Sequence, residues 1–204
     1  MKRNWCIVLL LCFAGLIWSD LDSKAQDIEL LIIQLQNENV QVRRNAARGL
    51  RLNTIGKSAE DAVHALIKAL SDEDNLVRAS AAFALSEIGE LAKDAVPALI
   101  NALSDEDKYV RHNVVEALGL IGASAKDAVP ALIKALSDED NLVRINTAYA
   151  LYNIDNSRLN MVLPVLIKAL SDEEWHVRSH AAETLKNIGR PETMKAYEEY
   201  EKSR

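Results

Sequence analysis

The chain has 204 residues, with 24 Lys+Arg against 30 Asp+Glu, 49% hydrophobic residues and 5% aromatic ones. That apolar share excludes a disordered chain, and a formal net charge of −6 excludes a general nucleic-acid binder, which needs a basic face to displace counterions from phosphate. Few rings beside abundant Ala, Leu, Ile and Val predict closely packed helices rather than one large aromatic core.

Residues 1–25 differ from everything after them. Lys2 and Arg3 precede an apolar run from Ile7 to Trp18, and a short polar stretch ends Ser23-Lys24-Ala25. This is the plan of a secretory signal peptide, with small residues at −3 and −1 of a cut after Ala25. The run is shorter than the about 20 residues of a comfortable bilayer span. An uncleaved anchor is the alternative, and it is the one membrane connection the sequence offers. Leu11 stands before Cys12, where a lipoprotein signal wants a small residue. Cleavage would leave 21 basic and 28 acidic residues and remove both cysteines, Cys6 and Cys12. The exported product, periplasmic or extracellular, would then have no thiol for disulfides, nucleophilic chemistry or metal.

The remainder is repetitive. Ser-Asp-Glu-Asp begins at Ser71, Ser104 and Ser137, and Ser-Asp-Glu-Glu at Ser171, giving steps of 33, 33 and 34. Val-Arg follows each time, at Val77-Arg78, Val110-Arg111, Val143-Arg144 and Val177-Arg178. Ile-Gly closes three of these units at Ile88, Ile121 and Ile188, while the fourth has Ile154-Asp155. A diverged first copy carries Val42-Arg43 and Ile55-Gly56. The expected units are 27–58, 59–91, 92–124, 125–158 and 159–190, followed by a polar cap or tail at 191–204.

Each unit reads as two helices. In the second, Asp61 to Leu70 and Asn75 to Ile88 each place apolar residues on one face at helical spacing. Pro97, Pro130 and Pro164 fall near the start of the first helix, where a missing N–H is harmless. Asp74, Asp107 and Asp140 are placed to cap the second helix, and the glycines after isoleucine to end it in the left-handed conformation. One such pair cannot bury its apolar stripe alone, whereas stacked pairs share a continuous core.

The Pro, Asp, Val, Arg spacing (Pro97, Asp105, Val110, Arg111; Pro130, Asp138, Val143, Arg144; Pro164, Asp172, Val177, Arg178) resembles HEAT repeats. The string from Ala128 to Arg144 is similar to the bilin-lyase (PBS lyase) HEAT-like subfamily. The resemblance implies an all-α fold, a right-handed α-solenoid of about five HEAT-like helix pairs. It also implies a ladder in which the turn Asp bonds the Arg of a second helix, often of a neighbouring unit: Asp72, Asp105, Asp138 and Asp172 with Arg78, Arg111, Arg144 and Arg178. The first unit departs, with Asn37 opposite Arg43. A neutral acceptor bonds more weakly than a carboxylate, so the ladder is expected to be loosest at that end.

Residues that break the repeat are the candidates for chemistry. His176, His180 and Glu183 lie at i, i+4 and i+7 of one helix and form a weak metal candidate. His180 stands where other units carry Asn45, Ser80, Asn113 and Asn146, so the position is generically polar. His112 lies two units away, about 20 Å at 8–10 Å per helix, and is expected not to share a site with His180. His64 replaces the repeat proline as a surface residue. No Ser-His-Asp order, phosphate loop or dinucleotide motif is present, and no catalytic residue or cofactor is assigned. The acidic turns at 72–74, 105–107, 138–140 and 172–174 lack the alternation and central Gly of an EF-hand and read as helix caps and ladder acids.

The resemblance also implies that second helices line the concave surface. Counting from the repeat Arg, the row at −3, +1, +5 and +8 supplies the partner-binding candidates: Arg44, Arg48 and Arg51 as a basic end, then Phe83, His112, Ile145, Tyr149, Tyr152 and Trp175. Exposed aromatics and arginines anchor interfaces. The expected function is an exported, non-enzymatic scaffold holding a protein partner on its concave face. An accessory role in tetrapyrrole attachment is the alternative that the bilin-lyase resemblance implies, and a metal enzyme is a third reading.

Overall fold

The computed structural model describes residues 27–53 and 58–203; the leader read at 1–25 and the Ile55-Gly56 pair lie outside the described residues. Helix α1 covers 27–34 and α2 Val40–Asn53; α3 is Ser58–Ala69 and α4 Asn75–Ile88. A 3-10 stretch, η1 (Gly89–Ala95), leads into α5 (Val96–Ala102), then α6 (Lys108–Ile121). The next unit repeats this with η2 (Gly122–Ala128), α7 (Val129–Ala135) and α8 (Asn141–Ile154). The last has a shorter η3 (Asn156–Arg158), then α9 (Leu159–Ala169) and α10 (Trp175–Ile188), and α11 (Pro191–Ser203) packs on α10. No strand occurs among the described residues, and none of their helices is long and apolar enough to cross a membrane.

Second helices stack in series, α2 on α4, α4 on α6, α6 on α8 and α8 on α10, and the first helices pack behind them, giving an α-solenoid. The core follows from the repeat. Leu50, Leu85, Leu118, Leu151 and Leu185, each seven residues after the unit's arginine, are fully buried, as are Leu66, Leu99, Leu132 and Leu166 of the first helices. Each such leucine contributes about 1.5–3 kcal/mol, in layers that need their neighbours. Alanines fill the contacts between second helices, and Ala81, Ala82, Ala117 and Ala148 have no exposed surface.

Local signals behave as the sequence expects in most units. Asp74, Asp107 and Asp140 cap α4, α6 and α8 by accepting from backbone N–H groups of the first turn. Glu174, one methylene longer, makes no such bond. Pro97 and Pro130 sit in the first turn of α5 and α7. Pro164 differs from expectation: α9 begins five residues earlier, at Leu159, so this proline lies inside the helix. Among the described residues, only Gly189 ends its helix in the left-handed conformation (φ 64°, ψ 15°). Gly89 and Gly122 pair φ 63° and 67° with ψ near −135°, a combination open only to glycine, and it turns the chain straight into η1 and η2.

Candidate functional site

Three surfaces arise from how the units join. On the turn edge, arginines reach forward by one unit. Arg43 donates from Nε and Nη2 to the two carboxylate oxygens of Asp72 (2.7 and 3.0 Å), Arg78 does the same to Asp105 (2.7 and 2.9 Å), and Arg111 to Asp138 (2.8 and 2.9 Å). In each case Nη1 donates to two backbone carbonyls of the arginine's own turn. A fork filled on both edges is the strongest form of this interaction, and it explains how these arginines are buried.

Two expectations change here. Where a rung forms, it joins the Arg to the following unit's Asp, not to its own, so Asn37 costs the ladder nothing: from residue 37 Arg43 takes only the backbone oxygen. The loose end lies at the opposite place. Arg144 keeps its bonds to the carbonyls of Asp138 and Glu139 (2.6 and 3.1 Å), but its Nε and Nη2 meet no acceptor among the described residues, and Asp172 accepts instead from the N–H of Glu174 (3.0 Å). Among the described residues Arg178 likewise bonds only carbonyls of its own turn, 172 and 173. A parallel row of ties, Arg44 to Asp74 (2.9 Å), Asn75 to Asp107 (2.6 Å) and Lys108 to Asp140 (3.1 Å), stops at the same joint. The Arg44 guanidinium beside Asp74 holds that carboxyl down to about 2. Arg44 is therefore an inter-unit tie rather than a free contact, while Arg48 is exposed and the Arg51 side chain lies outside the described residues.

The second surface runs along the stacked second helices. Side chains two residues past each arginine form a polar spine: Asn113 donates to the Ala79 carbonyl (2.9 Å), Asn146 lies 3.1 Å from His112 Nδ1, and His180 Nε2 lies 2.6 Å from Asn146 Oδ1. His112 and His180 thus share one carboxamide. Axis spacing misleads here because both imidazoles reach toward the helix between them. Desolvation lowers the pKa of each ring, and His112 lowers that of His180 further. Beside them opens a pocket of about 260 Å³ whose lining includes Glu116, Gly119, Tyr149, Ala150, Asn153 and Glu183. Burial, then the nearby Glu87, pushes the Glu116 carboxyl up. Glu116 has no hydrogen-bond or ion-pair partner among the described residues. His176 turns away to Glu174 (3.1 Å) and stands edge-on to Trp175, so His176, His180 and Glu183 do not converge. Among the described residues no group of three His, Cys, Asp or Glu could hold a metal ion.

The expected partner-binding row divides. His112 and Tyr149 line the concave pocket. Phe83 and Tyr152 are half-buried, the latter against the core. Ile145, only 1% exposed, is a core residue: helix α8 turns its +1 position into the packing, as it does Ala79 in α4. Trp175, 72% exposed, belongs to a third surface, the groove between α10 and α11 that also carries Arg178 and Tyr200. His64 is exposed on α3, with Nδ1 2.9 Å from the Glu60 carbonyl. The polar spine and the forward direction of the rungs escaped sequence reasoning. Asn, Asn and His at one register in successive units was the available signal.

Comparison with known families decides what the stack is. The family model for HEAT repeats matches residues 28–102 and 96–159, and a single HEAT repeat matches 162–190. The chain belongs to the HEAT-repeat family. Among solved structures, an engineered protein from the Northeast Structural Genomics Consortium is 27% identical to this HEAT-repeat chain over 85% of each, with a TM-score of 0.61. A designed armadillo repeat protein in complex with the peptide (KR)4 is 21% identical over 84% of this chain and 86% of that one, with a TM-score of 0.56, and shares the fold. The CpcE–CpcF complex of phycocyanin lyase from Nostoc sp. PCC7120 is 27% identical over 83% of this chain and 79% of that one, with a TM-score of 0.49. A search of the curated proteins finds no match.

Proposed function

We propose that this HEAT-repeat chain is an exported, non-enzymatic scaffold that binds an extended segment of a protein partner along the concave face of α6, α8 and α10. The observation that carries the reading is the pocket beside the His112–Asn146–His180 spine, which a half-buried carboxylate, Glu116, and an aromatic ring, Tyr149, line together. A carboxylate held partly out of water without a counter-ion is stabilised by a cation that comes to it. A Lys or Arg side chain fits: its stem lies on Tyr149 and its charge meets Glu116, with Glu183 at the rim. The surface classes that anchor partners, aromatic and charged together, occur here on rigid helices rather than loops.

The test uses partner capture from the envelope fraction by the full chain and by Tyr149→Ala, Tyr152→Ala and Glu116→Gln variants, with folding checked by circular dichroism. Tyr149→Ala and Glu116→Gln should weaken capture of the same partner while helicity stays unchanged; undiminished capture overturns the assignment. Export is tested by the N-terminal residue of the secreted protein, expected to be Gln26.

A further inference from the structure

The joint between the fourth and fifth units carries a second site, independent of the concave pocket. Three arginines show what their guanidinium edge binds in this protein: a carboxylate taken on Nε and Nη2 together, at 2.7–3.0 Å. Arg144 is held by the same two carbonyl bonds on Nη1, so its free edge has the orientation of the other three. Arg144 lines an open cleft of about 630 Å³ between α8 and α9, together with Pro164, Val165 and Lys168. Asp172 and Glu173 line the same cleft. Asp172 keeps the turn bond that its equivalents make, to the N–H two residues on, so both halves of a rung are formed and the joint between them is open.

We propose that Arg144 is the receptor for an acidic side chain of a partner segment that enters this cleft. The bidentate fork selects a planar carboxylate, and Lys168 adds a second positive charge. Neighbouring acids do not disqualify the site, because Arg43 and Arg111 each gather a second carboxylate, Glu73 at 2.9 Å and Glu139 at 3.1 Å, beside their aspartate. A side chain rather than a chain terminus is the expected source, since in all three filled rungs the carboxylate is an aspartate carried on a turn. Pro164 and Val165 supply an apolar surface for the flanking residues, and Pro164 gives no backbone N–H to compete.

The test is an NMR titration of the isotope-labelled full chain with the peptides Ac-Val-Glu-Val-NH2, Ac-Val-Gln-Val-NH2 and Ac-Val-Val-OH. The reporters are the Arg144 Nε–H signal and the backbone amides of 144–145 and 171–173. Saturable shifts with the Glu peptide, at an affinity about tenfold above that for the Gln peptide, are expected, and Arg144→Lys should abolish the difference on the backbone reporters. Three outcomes overturn the proposal: no saturable shift up to about 10 mM, equal response to Glu and Gln, or response to the free terminus alone. A fourth is an Arg144 Nε–H signal in the free protein that already moves on Asp172→Asn, which would mean that the rung is closed internally.

Discussion

Replacing Asp138 by Ala and, separately, Asp172 by Ala separates a filled rung from an open one at equivalent positions. Asp138 and Arg111 have side chains only 10% and 7% exposed. The first change removes two charge-assisted bonds of 2.8 and 2.9 Å and the bond to the Asp140 N–H. Stranding one partner of a buried pair costs about 3–5 kcal/mol. Here the two carbonyls on Nη1 and the outlying Glu139 remain, so the expected loss is about 2–3 kcal/mol. Asp172→Ala removes only an exposed turn bond, with an expected loss of about 0.5–1 kcal/mol. Urea unfolding followed by far-UV circular dichroism measures both, through the midpoint at constant slope. Equal losses in the two variants would refute the account, because they would mean that Arg144 and Asp172 pair in solution as the other rungs do.

Three further outcomes follow from single residues. Because the folded-state pKa of Glu116 lies above its ordinary 4.5, the ionised group opposes folding near neutrality and ceases to as pH falls; Glu116→Gln should therefore raise Tm at pH 7 and lose that advantage below pH 4.5. Asp74 shows the opposite sign. Its pKa is depressed to about 2 from 3.8, so the stability it supplies is complete above pH 3.8 and lost toward pH 2, and an Asp74→Asn variant should show a shallower acid transition in that window. A Cβ on Gly119 would lie 3.0 Å from the Ala150 Cβ and 3.1 Å from its Cα, so Gly119→Ala must move α6 from α8; a loss of about 1–3 kcal/mol in thermal or urea unfolding is expected.

How far the sequence could be read depends on whether a property belongs to one unit or to a joint. Helix α4 begins and ends where the periodicity and the flanking Asp74 and Gly89 put it, because cap, stripe and stop all lie within 16 residues of chain. The family resemblance and the helix-pair architecture follow from the same local regularity. The rungs do not: whether Asp105 meets Arg78 or Arg111 depends on the offset between stacked units, and the repeat spells both arrangements identically. Ile145 illustrates the same limit, since its register gives Arg44 and His112 elsewhere, and only the packing of α8 against its neighbours turns the position inward. Helix-axis spacing places His112 and His180 about 20 Å apart, whereas side-chain reach toward Asn146 brings both rings to one carboxamide.

The open joint has a cause in the chain, and that cause can be reversed. Ile121 to Pro130 spans nine steps, but Ile154 to Pro164 spans ten, and the glycine that starts η2 at φ 67° is replaced by Asp155 at φ −151°. Asp155 then caps the short η3 through the Ser157 N–H and pairs with Arg158 at 3.0 Å, which sends the chain into α9 by a different path. The edge that carries the polar spine stays tied by His180 to Asn146 at 2.6 Å while both rows of ties on the turn edge lapse, so the joint is fastened on one side and parted on the other. Deleting Asn156 together with Asp155→Gly restores the nine-step spacing and the glycine turn. The expected result is a closed rung: Arg144 Nε–H slowed in exchange, sensitivity of that signal to Asp172→Asn, and a Tm above that of the parent chain, from a stabilisation of about 1–2 kcal/mol that a buried bidentate pair supplies over an exposed one. Loss of the acidic-peptide response should accompany it, because Asp172 then occupies the fork. A variant that closes the spacing yet leaves Arg144 in fast exchange would show that the insertion is not what holds this joint open.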